Sequence, residues 1–534
     1  VPTDGGQYTL AIDLGTTGAK VGLVSTRGEI AGWEFEPAPL LLLPNGGAEQ
    51  RPDDWWDAIH KASRRLLEKR LVPIDSIAAI SCTTQWSGTV AVDKDGRHLM
   101  NAIIWMDARG APYAQRITSG LLKIEGYGIG RLMRWIRLTA GVPGRAGKDS
   151  IAHILFIKHE RPDIYRQTYK FLEPKDYLNL RLTGQFAASH DSIALHWVTD
   201  NRDIAHITYD DQLLKMSTLD REKLPELKRA IDILGPIRPE VADELGLSHR
   251  VQIVMGTPDV HSAAIGSGAV RDYEAHLYVG TSAWLACHVP FKKTDVLHNI
   301  ASLPSAIPGR YLVSNEQQTA GACLAFLRDN ILYHTDELSR EAGAQDVYPI
   351  FDRIAESTPA GSGQVIFTPW LYGERTPVGD RFVRGGWHNV SLQTTREHLI
   401  RAVFEGVAYN ARWLLGYVEK FVGRRLDVLN MVGGGANSNA WCQIQADVLN
   451  RTIRQVEQPI LVNVRGAGLL AAVALGHLTF DDAAARVPIA HTYEPDQKHR
   501  RIYDELYREF AGLYKRNRHM HARLNKAADA EHNG

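Results

Sequence analysis

Tyr8 to Leu14 is a nearly unbroken apolar run that breaks at Gly15-Thr16-Thr17-Gly18 and resumes from Ala19 to Ser25. A second turn at Arg27-Gly28 leads into Ile30 to Phe35, so this stretch reads as three strands of an antiparallel meander. Asp53 to Leu67 changes to helical spacing behind Pro52, a residue suited to a helix start. Ile77 to Cys82 and Thr89 to Val92 return to a strand pattern, with turn chemistry at Asp93 to Gly96. The middle, Ile117 to Arg250, reads as mostly helical and polar. Val251 to Met255 is then a short buried strand ending on Gly256-Thr257-Pro258-Asp259, followed by the small residues Ala263 to Gly268.

A second meander follows: His276 to Val279, a turn at Gly280-Thr281-Ser282, and Ala283 to Val289. The order strand, Gly-Thr turn, strand thus occurs twice, with Gly15 and Gly280 separated by 265 positions. That spacing predicts two copies of one module. Strands mixed with helices make the fold class α/β. Near the end, Met431-Val432 enters Gly433-Gly434-Gly435 and then a helix from Trp441 to Leu449. Tyr503, Leu506, Phe510 and Leu513 give Asp496 to Ala527 helical periodicity, with fraying expected from Ala528 onward.

The length of 534 residues allows about three domains or two large ones. The repeated turn selects two, with expected spans 1–262, 263–490 and a helical tail 491–534. Apolar residues make up 44% and charged residues 23%, the balance of an ordinary globular chain. Lys plus Arg equals Asp plus Glu at 61 each, which argues against nucleic acid or an anionic membrane as main partner. Four scattered cysteines, Cys82, Cys287, Cys323 and Cys442, fit a reducing compartment and exclude a disulfide scaffold. The longest apolar run, Ala467 to Leu475, is about half a membrane span, and no secretory signal pattern is found at Val1 onward. A cytoplasmic location is the expectation.

The turn Asp13 to Gly18 is the best single motif. Bare glycine backbone and two hydroxyls suit phosphate oxygens, and a strand-end Asp suits Mg²⁺. Lys20 follows, yet no P-loop pattern is present. Gly280-Thr281-Ser282 offers a second cradle, and Gly433 to Asn439 a Gly-rich turn facing a helix start. Asp259 is placed either to accept a proton from a hydroxyl or to cap a helix. Gln85-Trp86-Ser87-Gly88 and Trp105 to Arg109 set polar groups beside aromatics, as a sugar requires; a core Trp with a surface salt bridge is the plain alternative. No histidine pair has metal-ligand spacing.

With these motifs in order, the chain resembles the FGGY carbohydrate kinases, most closely their xylulokinase-like branch, from about Tyr8 to His477. Gly373-Glu374-Arg375-Thr376-Pro377 and Gly385 to Glu405 are similar to two further segments of that family. The resemblance implies two ribonuclease-H-like (actin-like ATPase) domains around an interdomain active-site cleft. It implies ATP and Mg²⁺, with Asp259 as catalytic base and Asp13 at the metal. Gly15, Thr16, Thr17, Lys20, Gly280 and Thr281 would serve the phosphates, and Gly321, Gly434, Gly435 and Asn439 the nucleotide. Gln85, Trp86, Asp107, Arg109 and Asp259 would meet a small sugar or polyol, a ketopentose such as xylulose being the leading acceptor and a tetritol, pentitol or ribulose-type sugar the alternative. A homodimer is left open. The chain departs from the branch at Trp86-Ser87, Asp259-Val260, His153, Phe156 and Asn389, mostly on the sugar side. Two rivals remain at this level: an actin-like or chaperone-type ATPase switch, and a silent sugar sensor.

Overall fold

The computed structural model describes residues 6–332 and 346–532. The opening meander forms as its pattern dictates: β1 (Tyr8–Gly15), β2 (Gly18–Ser25) and β3 (Ile30–Pro37) pair antiparallel, with Gly15 opposite Gly18 at the hairpin end. Buried apolar residues of α1 (Pro52–Glu68), including Trp55, Ile59 and Leu66, fix this helix on the sheet, and Asp53, Asp54 and Arg65 suit its two ends. β4 (Ile77–Thr84) then joins β1 in parallel, and β6 (Gln252–Pro258) joins β4 in parallel. The four-residue β5 (Ile233–Pro236) closes the edge, antiparallel to β6, giving the order β5-β6-β4-β1-β2-β3.

The second sheet repeats this plan. β7 (Ala275–Val279), β8 (Ala283–Val289) and β9 (Tyr311–Gln317) form its meander. β10 (Val428–Val432) and β11 (Thr452–Val456) are its parallel strands, and β12 (Ile489–Tyr493) is the antiparallel edge. Its order, β9-β8-β7-β10-β11-β12, matches the first sheet strand for strand; two short strands, Thr294–Asp295 and Ile300–Pro304, extend it beyond β9. The chain is therefore two copies of one mixed α/β module, the actin-like ATPase architecture.

Four details differ from the sequence reading. The middle segment carries short strands among its helices, β5 included; four residues containing Gly and Pro show no alternation that marks a strand. The strand expected from Thr89 begins at Val90 and pairs with Lys170–Leu172 rather than the central sheet. The boundary placed after Ser262 falls inside a helix, Asp259–Gly266. The tail helix runs Arg500–His532, past the point where fraying was expected, and Asn533 and Gly534 lie outside the described residues. Among the described residues no helix is long and apolar enough to cross a membrane, and all four cysteines are buried thiols.

The modules are joined by two helices. Asp259–Gly266 (α2) leaves β6 and lies against both sheets, while Val462–Ala474 (α3) covers β1, β2 and β4 of the first sheet. The two helices cross at bare backbone. A Cβ on Gly266 would sit 1.9 Å from the Val462 carbonyl oxygen, and one on Gly466 would sit 1.9 Å from the Ser262 carbonyl oxygen. Only glycine permits that approach, since backbone on both sides leaves nothing flexible to move.

Gly466→Ala and Gly266→Ala should each lower stability by about 3 kcal/mol or more, the upper end of overpacking effects. Gly416→Ala, at a helix position where a Cβ meets nothing within 4 Å, should be neutral or stabilising by about 1 kcal/mol. Denaturant titration of the three variants measures the contrast.

Candidate active site

The turns at Gly15, Gly280 and Gly433 each lie at the carboxyl end of a strand with a parallel partner, where open α/β sheets bind ligands. Asp13 is near the end of β1 and only 2% exposed. Its Oδ2 meets Lys20 Nζ at 3.5 Å and its Oδ1 meets Asn463 Nδ2 at 3.5 Å, so both oxygens have only long partners. Thr16 Oγ1 donates to Gln85 Oε1 at 3.1 Å and accepts from Trp105 Nε1 at 3.0 Å. Gln85 Nε2 in turn donates to Gln50 Oε1 at 2.7 Å. Gln85 thus braces the first turn from beneath, with its amide engaged by protein. Thr17 is exposed.

Asp259 opens α2 directly past β6, and its Oδ1 accepts from the Val260 amide at 2.8 Å. Asp259 is thus the first residue of the helix, whose N-cap is Pro258, and not the cap that the sequence offered as one reading. Burial and the nearby negative charge of Asp13 push its carboxyl up to about 7. Asp13 and Asp259 come from two strand ends of one sheet, on either side of β4, so the fold brings their charges within electrostatic reach of each other.

The second turn faces them from the other module. Gly321 is tied to it: the Gly321 amide donates to the Gly280 carbonyl at 2.7 Å and the Ala320 amide to that of Thr281 at 2.8 Å. Tyr278, which the sequence reading passed over, is wedged beside this turn. Its ring stacks on Trp284 with centroids 3.6 Å apart and planes 3° from parallel. A Cβ on Gly280 would lie 2.5 Å from the ring and one on Gly433 would lie 3.2 Å away, so glycine at both sites leaves the ring its slot. Burial, with Asp13 and Asp259 nearby, raises the Tyr278 phenol far above its ordinary range, which keeps it a donor. Its hydroxyl has no hydrogen-bond partner among the described residues.

The Gly434–Asn437 turn follows β10, and Ser438 caps the next helix, Asn439–Leu449, by accepting from the Trp441 amide at 2.9 Å. Gly434 is exposed with open space beside it, and Gly435 is half-buried against Val279. Asn439 is exposed, with its Oδ1 accepting from Tyr493 Oη at 2.9 Å.

The remaining sugar candidates separate into two groups. Trp86 is half-buried, donates Nε1 to the Ser192 carbonyl at 2.9 Å, and meets His261 edge-on at 5.3 Å. Asp107 and Arg109 are instead closed on the protein. Asp107 accepts from the Ala48 amide and from Arg109 Nε, each at 2.9 Å, and Arg109 Nη2 donates to Glu49 Oε1 at 2.6 Å. The Arg109 guanidinium also sits 4.5 Å over Phe156. This network is buried, not a surface salt bridge, and it shapes the wall with few free donors or acceptors.

Two further residues face the same space: Lys148, which carried no sequence signal of its own, and Arg375 of the Gly373–Pro377 segment. Lys148 has no side-chain partner among the described residues; burial and neighbouring Arg375 pull its amine down to about 8, against Glu316 and Asp107. Arg375 is held by Glu374, whose Oε1 accepts from the Gln318 and Arg375 amides at 2.9 and 2.8 Å. Its guanidinium pairs with Glu316, donates to Gln318 Oε1 at 2.9 Å, and lies 5.4 Å over the Trp105 ring of the first module. Arg375 and Trp105 therefore touch across the two modules.

No cluster of three His, Cys, Asp or Glu side chains fit for a metal is found among the described residues. Asp13, with its loosely engaged oxygens, fits an ion such as Mg²⁺, which is commonly held by one or two carboxylates together with phosphates and water.

The N-terminal domain of the FGGY family of carbohydrate kinases matches residues 8–266, and its C-terminal domain matches residues 276–475. The chain is 28% identical over 519 residues to a xylulose kinase of Escherichia coli (strain K12), covering 95% of this chain and 98% of the relative. It is 24% identical over 507 residues to a gluconokinase of Bacillus subtilis (strain 168), covering 95% of each. In three dimensions it is similar to a gluconate kinase from Lactobacillus acidophilus, with TM-score 0.85 at 24% identity over 97% of this chain and 100% of the other. A xylulose kinase from Lactobacillus acidophilus gives TM-score 0.83 at 24% identity over 96% and 98%. Two family domains in series over most of its length make this chain a member of the FGGY family of carbohydrate kinases, an ATP-dependent sugar kinase.

Proposed function

We propose that the protein transfers the γ-phosphoryl group of ATP to a terminal hydroxyl of a small open-chain ketose, a ketopentose such as xylulose. The observation that carries this reading is the pair Asp13 and Asp259, at two strand ends of one sheet and close enough for the charge of one to act on the other. Asp259, poised near pH 7, accepts the hydroxyl proton as the oxygen attacks phosphorus. The amides and hydroxyls of Gly15 to Thr17 and Gly280 to Thr281 hold the phosphates, and Lys20 lends positive charge beside Asp13. Mg²⁺ held at Asp13 would neutralise charge on the transferred phosphates. Gly321, Gly434, Gly435 and Asn439 face the adenosine. Tyr278 donates its phenol hydrogen to a phosphate oxygen, and the stacked Trp284 keeps that donor aimed. Trp86 and Trp105 form the apolar side of the acceptor pocket, with Gln85, Asp107 and Arg109 acting behind it as supports. The contact of Arg375 on Trp105 draws the modules together and limits water at the phosphates.

The ketose assignment is supported by the xylulose kinases among the near-full-length relatives. One observation favours a second reading. Lys148 carries an unpaired ammonium beside Arg375, which suits a carboxylate, so an aldonate is the alternative acceptor.

ADP release with Mg-ATP across ketopentoses, tetruloses, polyols and aldonates should peak with a ketopentose. Greater stimulation by an aldonate, lost in Lys148→Met, would install the second reading.

Asp259→Asn should abolish sugar-dependent ADP release while ATP still binds; near-normal turnover would sink the base assignment. The same carboxyl sets an acid limb near pH 7 in kcat/KM, with activity falling as Asp259 is protonated below it. Its folded-state pKa lies above the ordinary Asp value, so ionisation opposes folding increasingly from about pH 4 to 7. Asp259→Asn should therefore melt higher than wild type at pH 8, with the gap narrowing toward pH 4 in a calorimetric series.

Tyr278→Phe preserves the stack on Trp284 and removes only the hydroxyl. It should lower kcat about 10- to 100-fold, the range for loss of one donor to developing charge, with an unchanged melting temperature. A kcat within twofold of wild type would limit Tyr278 to packing.

A further inference from the structure

Away from the cleft, a cavity of about 460 Å³ opens on the other side of the module junction. The β2–β3 turn of the first module (Arg27, Gly28, Glu29) forms one wall. Glu457 and Gln458 after β11, Arg465 on α3, and Arg486 with Pro488 before β12 form the rest.

Arg465 is the anomaly. Its side chain is among the largest fully buried in the molecule, at 1% exposure. Nε and Nη1 are both buried with no hydrogen-bond partner among the described residues. A guanidinium does not shed its charge in a protein, and a buried unpaired ion is strongly unfavourable. Glu457 is the acidic group that acts on it electrostatically, yet the two form no ion pair among the described residues. Glu29 is exposed at the rim, and Arg486 is exposed at the mouth without an ion pair among the described residues. Arg465 and Arg486 thus face the pocket as cations without an ion pair among the described residues, the less accessible of them with two unpartnered donors.

The structure assigns this cavity, we infer, as an oxyanion site for a phosphate group, with Arg465 as its buried anchor and Arg486 as its rim. A planar guanidinium presents paired donors that match phosphate geometry. The volume accommodates either inorganic phosphate or a phosphorylated small metabolite, whose common chemistry is the tetrahedral oxyanion. The site lies where the first module's turn meets α3, so an occupant contacts both modules at once without touching the cleft.

The test uses the full chain saturated with a non-hydrolysable Mg-ATP analogue, so that the nucleotide's own phosphate turns are filled through the γ-position. Inorganic phosphate is titrated at constant ionic strength against chloride, and ribose 5-phosphate is titrated in a parallel arm. A bound anion should raise Tm by about 2 °C or more, saturably. Stronger saturation by ribose 5-phosphate than by phosphate identifies a metabolite site; equal response identifies free phosphate. Arg486→Gln, an exposed substitution that leaves folding intact, should weaken the response at least tenfold. Arg465→Met, which fills similar space without charge, should remove it. A wild-type response no larger than that of chloride would overturn the site, as would an undiminished response in both variants. Neither result bears on turnover in the cleft.

Discussion

Two glycines hold the active site in register. α2 and α3 cross at Gly266 and Gly466, where each backbone occupies the volume that a side chain on the other would need. α2 begins with Asp259, and α3 is preceded and packed so that Asn463 reaches Asp13 at 3.5 Å. The crossing therefore fixes the distance between the two sheets, the direction of Asp259, and the surroundings of Asp13 together. Because protein interiors are close-packed, a displacement of one helix here passes to both strand ends rather than being absorbed locally.

Around that crossing the protein separates two kinds of charge. Asp107, Arg109 and Glu49 satisfy one another in a closed, buried network. Glu374 is likewise engaged by two amides and Asn410, an arrangement that fixes the loop carrying Arg375. Asp13, Asp259 and Lys148 are left without comparable partners. Groups of the first kind build walls, whereas groups of the second kind keep electrostatic energy available for a ligand to release, at the expense of fold stability. Arg465 belongs with the second kind, though it lies on the opposite side of the junction.

The backbone features were legible in the sequence because their signal is local. A Gly-Thr turn after an apolar strand announces itself within six residues, and the recurrence of Gly15 as Gly280 disclosed the duplicated module. Asp259 was legible for the same reason, standing directly past a buried strand. What escaped was set by partners remote in the chain. Tyr278 reads as an ordinary strand residue until Trp284 and the two glycines enclose it. Lys148 lies in a Gly-rich loop, and nothing near it in sequence says that Arg375 will face it. Asp107 and Arg109 show the opposite limit, since a carboxylate and a guanidinium beside a Trp look the same in sequence whether they await a sugar or hold each other. β5 was missed because its edge position derives from β6, not from any pattern of its own.

The matched strand order has a consequence for how this chain can be altered. The sixth strand of the first sheet, β5, precedes its neighbour β6 in sequence, whereas its counterpart β12 follows β11. The two modules are thus alike in space but threaded differently. With α3 of the second module seated on the first sheet, neither half ends where its own sheet ends. A hybrid that joins the first module of one such enzyme to the second module of another would bring together a crossing pair of helices with separate histories. Compatibility of such hybrids is decided at Gly266 and Gly466, not at the substrate pocket.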